Sequence, residues 1–294
     1  IFGIDLSKDN IENHRDGACA RYLNMKKDYG RNIPDAVFIH GNSIKNLRDG
    51  SAFNTPRDKD MAMSILGTGI KDKKTLPPLV YNNFGVGDEG FDIVSAQFSL
   101  HYFFKNRATL HGFLRNVSEN CKFNGYFVGT CYDGAKIFEL LKDKKQGEIV
   151  GKYGGKSGND KLWEITKLYD NEVFPSDESS VGMKIGVYQD SINKMFSEYL
   201  VNKKYLVELM RLYGFVLVPD DEIKSTLIKR GMANFSEIFA TLKENTGKTF
   251  TNNKIVESVL KMDKMQKDIS FLNMYFIFKK VVKEVDAKKM EQIK

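Results

Sequence analysis

The 294-residue sequence predicts an α/β fold, a doubly wound and mostly parallel sheet with an inserted helical and β lobe. Three observations predict it. Short apolar runs of strand character alternate with runs of helical character over the first 142 residues. The alternation breaks across residues 143–190, where Gly- and Lys-rich turns surround two β-like runs. It then resumes with a helix, a strand, a polar helical stretch and a last apolar strand.

IFGID, residues 1–5, is a short strand ending in a carboxylate. Residues 7–27 read as one helix, with Ser7 placed to cap its first amides. AVFIH (36–40) is the next strand, and residues 50–90 read as loop with one short helix. FDIVSAQF (91–98) reads as a buried strand, followed by a helix near 107–119, the strand GYFVGTCY (125–132) and a helix over 134–142. The β-like runs of the insertion lie at 161–168 and 181–188. A helix over 203–213, a strand at 215–218 and a helical lobe at 220–265 follow. ISFLNMYFIFKKVV is the last strand, before a charged helical tail. One domain over 1–294, with inserted lobes at 143–190 and 220–265, is the simplest description.

With 41% hydrophobic and 28% charged residues, the chain can build a packed core. No apolar run approaches the roughly 18–20 residues of a membrane span. Cys19, Cys121 and Cys131 are far apart, with no CxxC pair or Cys/His cluster, so a reducing compartment and no bound metal are expected. A net charge of +7 suits an anionic partner such as RNA, and equally a Lys-rich soluble surface. The runs KDKK (71–74) and KDKKQ (142–146) read as solvated faces.

Ligands of a doubly wound sheet bind beyond the carboxyl ends of its strands. Asp5 stands at such an end, where its carboxylate either accepts ribose hydroxyls or caps a turn. A glycine-rich loop should precede such an acid by roughly 20 residues. Only four residues precede it, so the first strand and its loop are expected upstream of Ile1. The GxG strings at 67–69 and 85–87 read as turns. In FDIVSAQFSLHYFF the strand ends at Gln97, and His101-Tyr102 then precedes Phe103-Phe104. That composition suits a pocket, although a histidine in an apolar run also serves as a buried structural residue.

FDIVSAQFSLHY resembles the FD-x-x-S-x-QF-x-x-HY motif of eukaryotic and viral mRNA cap guanine-N7 methyltransferases. NGYFVGT (124–130), SEYLVNKKYLVELMRLYGF (197–215) and LNMYFIFKK (272–280) resemble further motifs of that family, in the same order. NIENHRDGACARYLN is similar to versions from large cytoplasmic DNA viruses. The resemblance implies a class I (Rossmann-like) methyltransferase sheet and S-adenosyl-L-methionine as methyl donor. Asp5, with Leu6 beside it, would hold the donor's ribose hydroxyls. Asn42 and Ser43 fall where the family places an acid on the adenine amine, and that acid is missing. Gln97 and Phe98 would line the cofactor, and His101 and Tyr102 would contact the cap guanine. Glu198 would take the guanine's Watson–Crick edge, Tyr275 would close the pocket, and Arg21 would stand near the triphosphate bridge. The implied partner is the capped 5′ end of mRNA. Fused triphosphatase and guanylyltransferase domains and a stimulatory subunit are implied as further partners, and a viral factory in the cytoplasm, or the virion, as the location. Two other readings fit in part. One is a catalytically incomplete module that binds RNA or a partner subunit, and the other is a small-molecule methyltransferase.

Overall fold

Hydrogen-bond pairing groups the strands of the computed structural model, which describes residues 1–154, 160–225, 227–245 and 253–283, into three sheets. In chain order the elements begin β1 (Phe2–Asp5), α1 (Lys8–Glu12), α2 (Ala18–Tyr29), β2 (Val37–His40), α3 (Pro56–Ile65), α4 (Pro78–Asn82) and β3 (Phe91–Gln97). Next come α5 (Leu100–Phe103), α6 (Arg107–Asn120), β4 (Cys121–Tyr132), α7 (Gly134–Leu140), β5 (Ile149–Gly154), β6 (Asp160–Lys167), β7 (Lys184–Gln189) and β8 (Lys194–Tyr199). The chain continues with α8 (Lys203–Leu212), β9 (Phe215–Leu217), β10 (Met232–Asn234), α9 (Phe235–Glu244), α10 (Asn253–Leu260), α11 (Lys264–Ser270) and β11 (Asn273–Lys280). They form two compact units, one of Ile1–Asp92 with His111–Lys122 and a larger one of Ile93–Leu110 with Phe123–Lys294.

In the smaller unit β1 and β2 pair in parallel, from Phe2 opposite Val37 to Asp5 opposite His40. Ser7 caps α1 as expected, accepting from the Asn10 amide at 3.3 Å. The single helix expected over 7–27 is instead two helices. The Asn13 side chain accepts from the Arg15 amide at 3.0 Å, a local turn that competes with helical hydrogen bonding. The stretch 50–90 holds two helices rather than one. Pro56 and Pro78, which read as loop residues, each open a helix, where a missing N–H costs nothing. Buried Ile39, Leu47, Phe53 and Leu66 form one core cluster and Ile65, Leu76 and Val80 a second.

In the larger unit one sheet runs in the order β10-β11-β4-β3, with β9 also on β11. β11 is antiparallel to β4, β9 and β10. Gly129 permits the close approach at its centre. A Cβ there would lie 2.3 Å from the Phe276 ring and 2.5 Å from the Ala96 carbonyl. The strand expected to be buried, β3, leaves Ile93, Ser95 and Gln97 exposed, because among the described residues it pairs only with β4. The insertion is a four-stranded antiparallel sheet, β5-β6-β7-β8. Its two central strands match the expected runs, whereas β5 and β8, rich in Gly, Lys and Ser, give little apolar alternation to read. Trp163, Ile165, Ile185, Val187 and Leu200 pack its inner face against Tyr132 and Ile137. The lobe at 220–265 is helical except for β10, which pairs with β11. Ile269 belongs to α11, capped by the Asp263–Gln266 box, so the last strand starts only at Asn273. The expected charged tail lies outside the described residues beyond residue 283.

Candidate functional site

His101 is carried on α5, just past the β3 strand end, and is 2% exposed. Glu198 lies on β8, opposite Ile185 of β7, and is 7% exposed. The register of β8 turns its carboxylate to the packed side of the insert sheet. His101 Nε2 stands 3.5 Å from Glu198 Oε2, too far for a good hydrogen bond. Both imidazole nitrogens and Glu198 Oε2 are buried with no hydrogen-bond partner in the protein. Burial pushes the His101 pKa down to about 3 and the Glu198 pKa up to about 7. The two are therefore not an ion pair near neutrality. His101 is neutral, and Glu198 is poised at its midpoint.

Three aromatics accompany this pair. Tyr102 packs edge-on to His101, with ring centroids 4.3 Å apart, and is 41% exposed. Tyr275 on β11 is buried, and its hydroxyl donates to the Arg230 carbonyl at 3.0 Å. Tyr132, at the end of β4, accepts from Gln189 Nε2 at 2.6 Å. Burial, then the nearby Glu198 charge, pushes its phenol upward.

At the end of β3 the backbone is strained. Phe98 has φ +49°, uncommon for a bulky residue and a recurrent feature of functional sites. Its amide donates to Thr130 O at 2.9 Å and Thr130 Oγ1 at 3.1 Å. Thr130 Oγ1 donates to Gln97 Oε1 at 2.9 Å, and Gln97 Nε2 donates to Ser95 Oγ at 3.0 Å. The exposed Phe98 ring meets Phe235 edge-on at 6.2 Å. Thr130 stood in a quoted motif. Phe235 gave no signal, because its contact depends on the return of β10 to the sheet.

In the smaller unit a cleft of about 490 Å³ brings Asp5 and Arg21 together, along with Ile4, Ile11 and Phe38. The Asp5 carboxylate accepts from the Ser7 amide at 2.7 Å and from Asn10 Nδ2 at 3.2 and 3.3 Å. It thus closes a turn, and still has lone pairs to offer. Leu6, Asn42 and Ser43 do not line this cleft. The Leu6 carbonyl accepts from His40 Nε2 at 2.8 Å. Asn42 Oδ1 accepts from the Ile44 amide at 3.2 Å, and the Ser43 carbonyl from Asn116 Nδ2 at 2.7 Å.

The sequence pattern of the mRNA (guanine-N(7))-methyltransferase domain matches residues 66–281. A protein of Acanthamoeba polyphaga mimivirus described as a probable mRNA-capping enzyme is 27% identical, over 95% of this chain and 23% of its own. The mRNA cap guanine-N(7) methyltransferase of Candida albicans is 32% identical, over 52% of this chain and 33% of its own. The chain thus spans about a quarter to a third of these relatives. The crystal structure of an S-adenosylmethionine-dependent methyltransferase from Clostridium acetobutylicum superposes with TM-score 0.41 at 10% identity, over 95% of this chain and 74% of that one. Among the described residues no helix is long and apolar enough to cross a membrane.

Proposed function

The chain belongs to the mRNA (guanine-N(7))-methyltransferase domain family, and from that premise we propose that it transfers a methyl group from S-adenosylmethionine to N7 of the cap guanine of mRNA. The observation that carries the reading is the buried, unpartnered pair His101 and Glu198. Unsatisfied polar groups cost free energy in a folded interior, so a ligand that pairs with them is the natural account of their retention. The Watson–Crick edge of guanine presents N1–H and N2–H₂ as adjacent donors, and one ionised carboxylate accepts both. Glu198 takes that edge, and the neutral His101 ring orients the base beside it. Tyr102 and Tyr275 border the base.

N7 carries a lone pair and no proton, so the reaction needs no general base. Its rate rests on alignment and on a site that tolerates the moving positive charge. S-adenosylmethionine supplies a methyl group already activated by its sulfonium leaving group. Asp5 holds the ribose with its remaining lone pairs, and Gln97 and Phe98 line the donor. The adenine amine has no acid to meet it, and the Asn42 side chain is turned into its own loop. Arg21 faces the triphosphate bridge. The capping-enzyme relatives support a setting beside triphosphatase and guanylyltransferase activities, in the cytoplasm of a cell infected by a large DNA virus. A stimulatory subunit would dock on the lobe at 143–190 or 220–265.

The test is to incubate the protein with GpppG-capped RNA and methyl-labelled S-adenosylmethionine, then digest the RNA to nucleosides. Label in N7-methylguanosine, absent with ApppG-capped or already N7-methylated RNA, is expected. Label elsewhere overturns the reading. No label with retained capped-RNA binding would favour the non-catalytic module.

A further inference from the structure

Behind the His101–Glu198 pair lies a second buried polar cluster, and no motif marked it. Asp133, 2% exposed, follows β4 and caps α7 by accepting from the Ala135 amide at 3.2 Å. Lys203 Nζ, on the first residue of α8, reaches Asp133 Oδ2 at 2.7 Å. Asn234, 8% exposed, closes the triangle. Its Nδ2 donates to Asp133 Oδ2 at 2.9 Å, and its Oδ1 accepts from Lys203 Nζ at 3.2 Å. Only this orientation of the amide satisfies both neighbours.

Each member stands next to a site residue. Lys203 is five residues past Glu198, and the segment between them is clamped from the other side. The Gly134 amide donates to the Val201 carbonyl at 3.1 Å, and a Cβ on Gly134 would lie 2.5 Å from that oxygen. Asp133 is three residues past Thr130, which holds Gln97 and Phe98. Asn234 is followed by Phe235, which meets Phe98, and Ala233 pairs with Tyr275 across β10 and β11. The cluster also balances charge. The groups around Glu198 are His101 and Tyr102 from α5, Cys131, Tyr132 and Asp133 at the end of β4, and Lys203 from α8. Cys131 feels Asp133, Glu198 and Lys203 together, so the three charges share one buried neighbourhood.

We propose that Asp133, Lys203 and Asn234 form a positioning network for the guanine pocket, fixing the Glu198–Lys203 segment and the Phe98–Phe235 aperture while leaving Glu198 as the one uncompensated charge of its neighbourhood. The inference rests on the guanine-pocket reading above. A charge pair is needed for it, because removing one partner leaves the other buried and uncompensated. In Lys203→Met the bare Asp133 carboxylate opposes ionisation of Glu198. In Asp133→Asn the bare Lys203 ammonium favours it.

The test measures KM and kcat for capped RNA from pH 5.5 to 9, S-adenosylhomocysteine affinity and thermal unfolding, using wild type, Lys203→Met, Asp133→Asn, the double variant and Lys203→Arg. Lys203→Met should raise KM for capped RNA about tenfold or more, a loss typical of a misplaced binding group, with S-adenosylhomocysteine affinity held within about twofold. The acid limb of the profile should move to higher pH in Lys203→Met and to lower pH in Asp133→Asn, with the double variant near wild type and Lys203→Arg largely restored. Equal losses for both ligands, losses that track melting temperature, or limbs moving together or not at all would overturn the network. If a single variant does not fold, the double variant, which buries no lone charge, decides by its KM, and a wild-type value would overturn the positioning role. Failure of the guanine reading shows differently, as absence of N7 methylation by the wild type.

Discussion

The candidate residues of the larger unit and those of the smaller one are held in opposite ways. His101 and Glu198 are sealed from solvent with polar atoms that no protein group satisfies. Asp5 lines an open cleft with a carboxylate already engaged by Ser7 and Asn10, and Arg21 is exposed beside it. Folding loses free energy by burying an unpaired polar group, so such a group points to a ligand by itself. An acid at a strand end does not, because capping a turn would place it there in any protein. Mutations in the pocket should therefore cut one function deeply, and mutations in the cleft should give smaller and more mixed effects.

The largest effect expected is that of Glu198→Ala. Cap methylation should fall by about 100-fold or more, since two guanine donors lose a charged acceptor at on the order of 1.5–3 kcal/mol each. S-adenosylhomocysteine affinity should stay within about twofold in a calorimetric titration. A matching loss of cofactor affinity would erase the contrast between the units.

Glu198→Gln sharpens the same contrast through pH. The folded pKa of Glu198 is raised from 4.5 to about 7 by burial. Its charge therefore opposes folding, and the penalty is absent below pH 4.5, grows as pH rises and is complete above about 7. Relative to Glu198→Gln, the wild type should lose on the order of 3 kcal/mol of stability across that window, measured by urea unfolding at each pH. Guanine binding needs the ionised carboxylate, so capped-RNA affinity should rise as pH climbs through about 7. His101, with its pKa near 3, does not titrate there. Stability curves of the two proteins that stay parallel from pH 4.5 to 7 would mean Glu198 is not desolvated as the structure has it.

How much of this was readable in the chain follows from the same physics. The residues that converge on the pocket, Gln97, Phe98, His101, Tyr102, Glu198 and Tyr275, stood in contiguous motifs, so resemblance found them singly. Their burial and the mismatch between His101 and Glu198 came only from the fold. Asp133, Lys203 and Asn234 left no trace, because a salt bridge spanning 70 residues and an amide a further 31 away have no local pattern. Alternation marked β6 and β7, which are apolar on one face, and missed β5 and β8. Prolines were misread in the smaller unit because Pro56 and Pro78 begin helices rather than end them.

Asp5→Ala tests the cleft directly and should be milder than Glu198→Ala. A cofactor-affinity loss of about tenfold is expected, the value of one charge-assisted hydrogen bond, together with a small loss of stability from the freed Ser7 amide. Ser7→Ala is the control, since it removes the cap of α1 and leaves the Asp5 carboxylate in place. If both variants lose cofactor affinity equally, Asp5 acts only through the turn.

The smallest effect expected is that of Arg21→Ala, and salt is what makes it visible. Arg21 is exposed on α2, so its interaction with a phosphate is screened and worth little near physiological ionic strength. A change of a few-fold in affinity at one salt concentration could come from any loosened side chain. An ionic contact to a single-stranded nucleic acid has a second signature, because forming it releases condensed counterions, and each such contact adds about 0.7 to the slope of log affinity against log salt. Arg21→Ala should lower that slope for capped RNA by about 0.7 and leave S-adenosylhomocysteine binding unchanged. Lys27→Ala removes an equally exposed cation from the same helix, away from the cleft lining, and should leave the slope as it was. Two equal reductions would mean that α2 contributes only diffuse charge. An affinity loss in Arg21→Ala with an unaltered slope would make Arg21 a wall of the cleft and not a phosphate ligand.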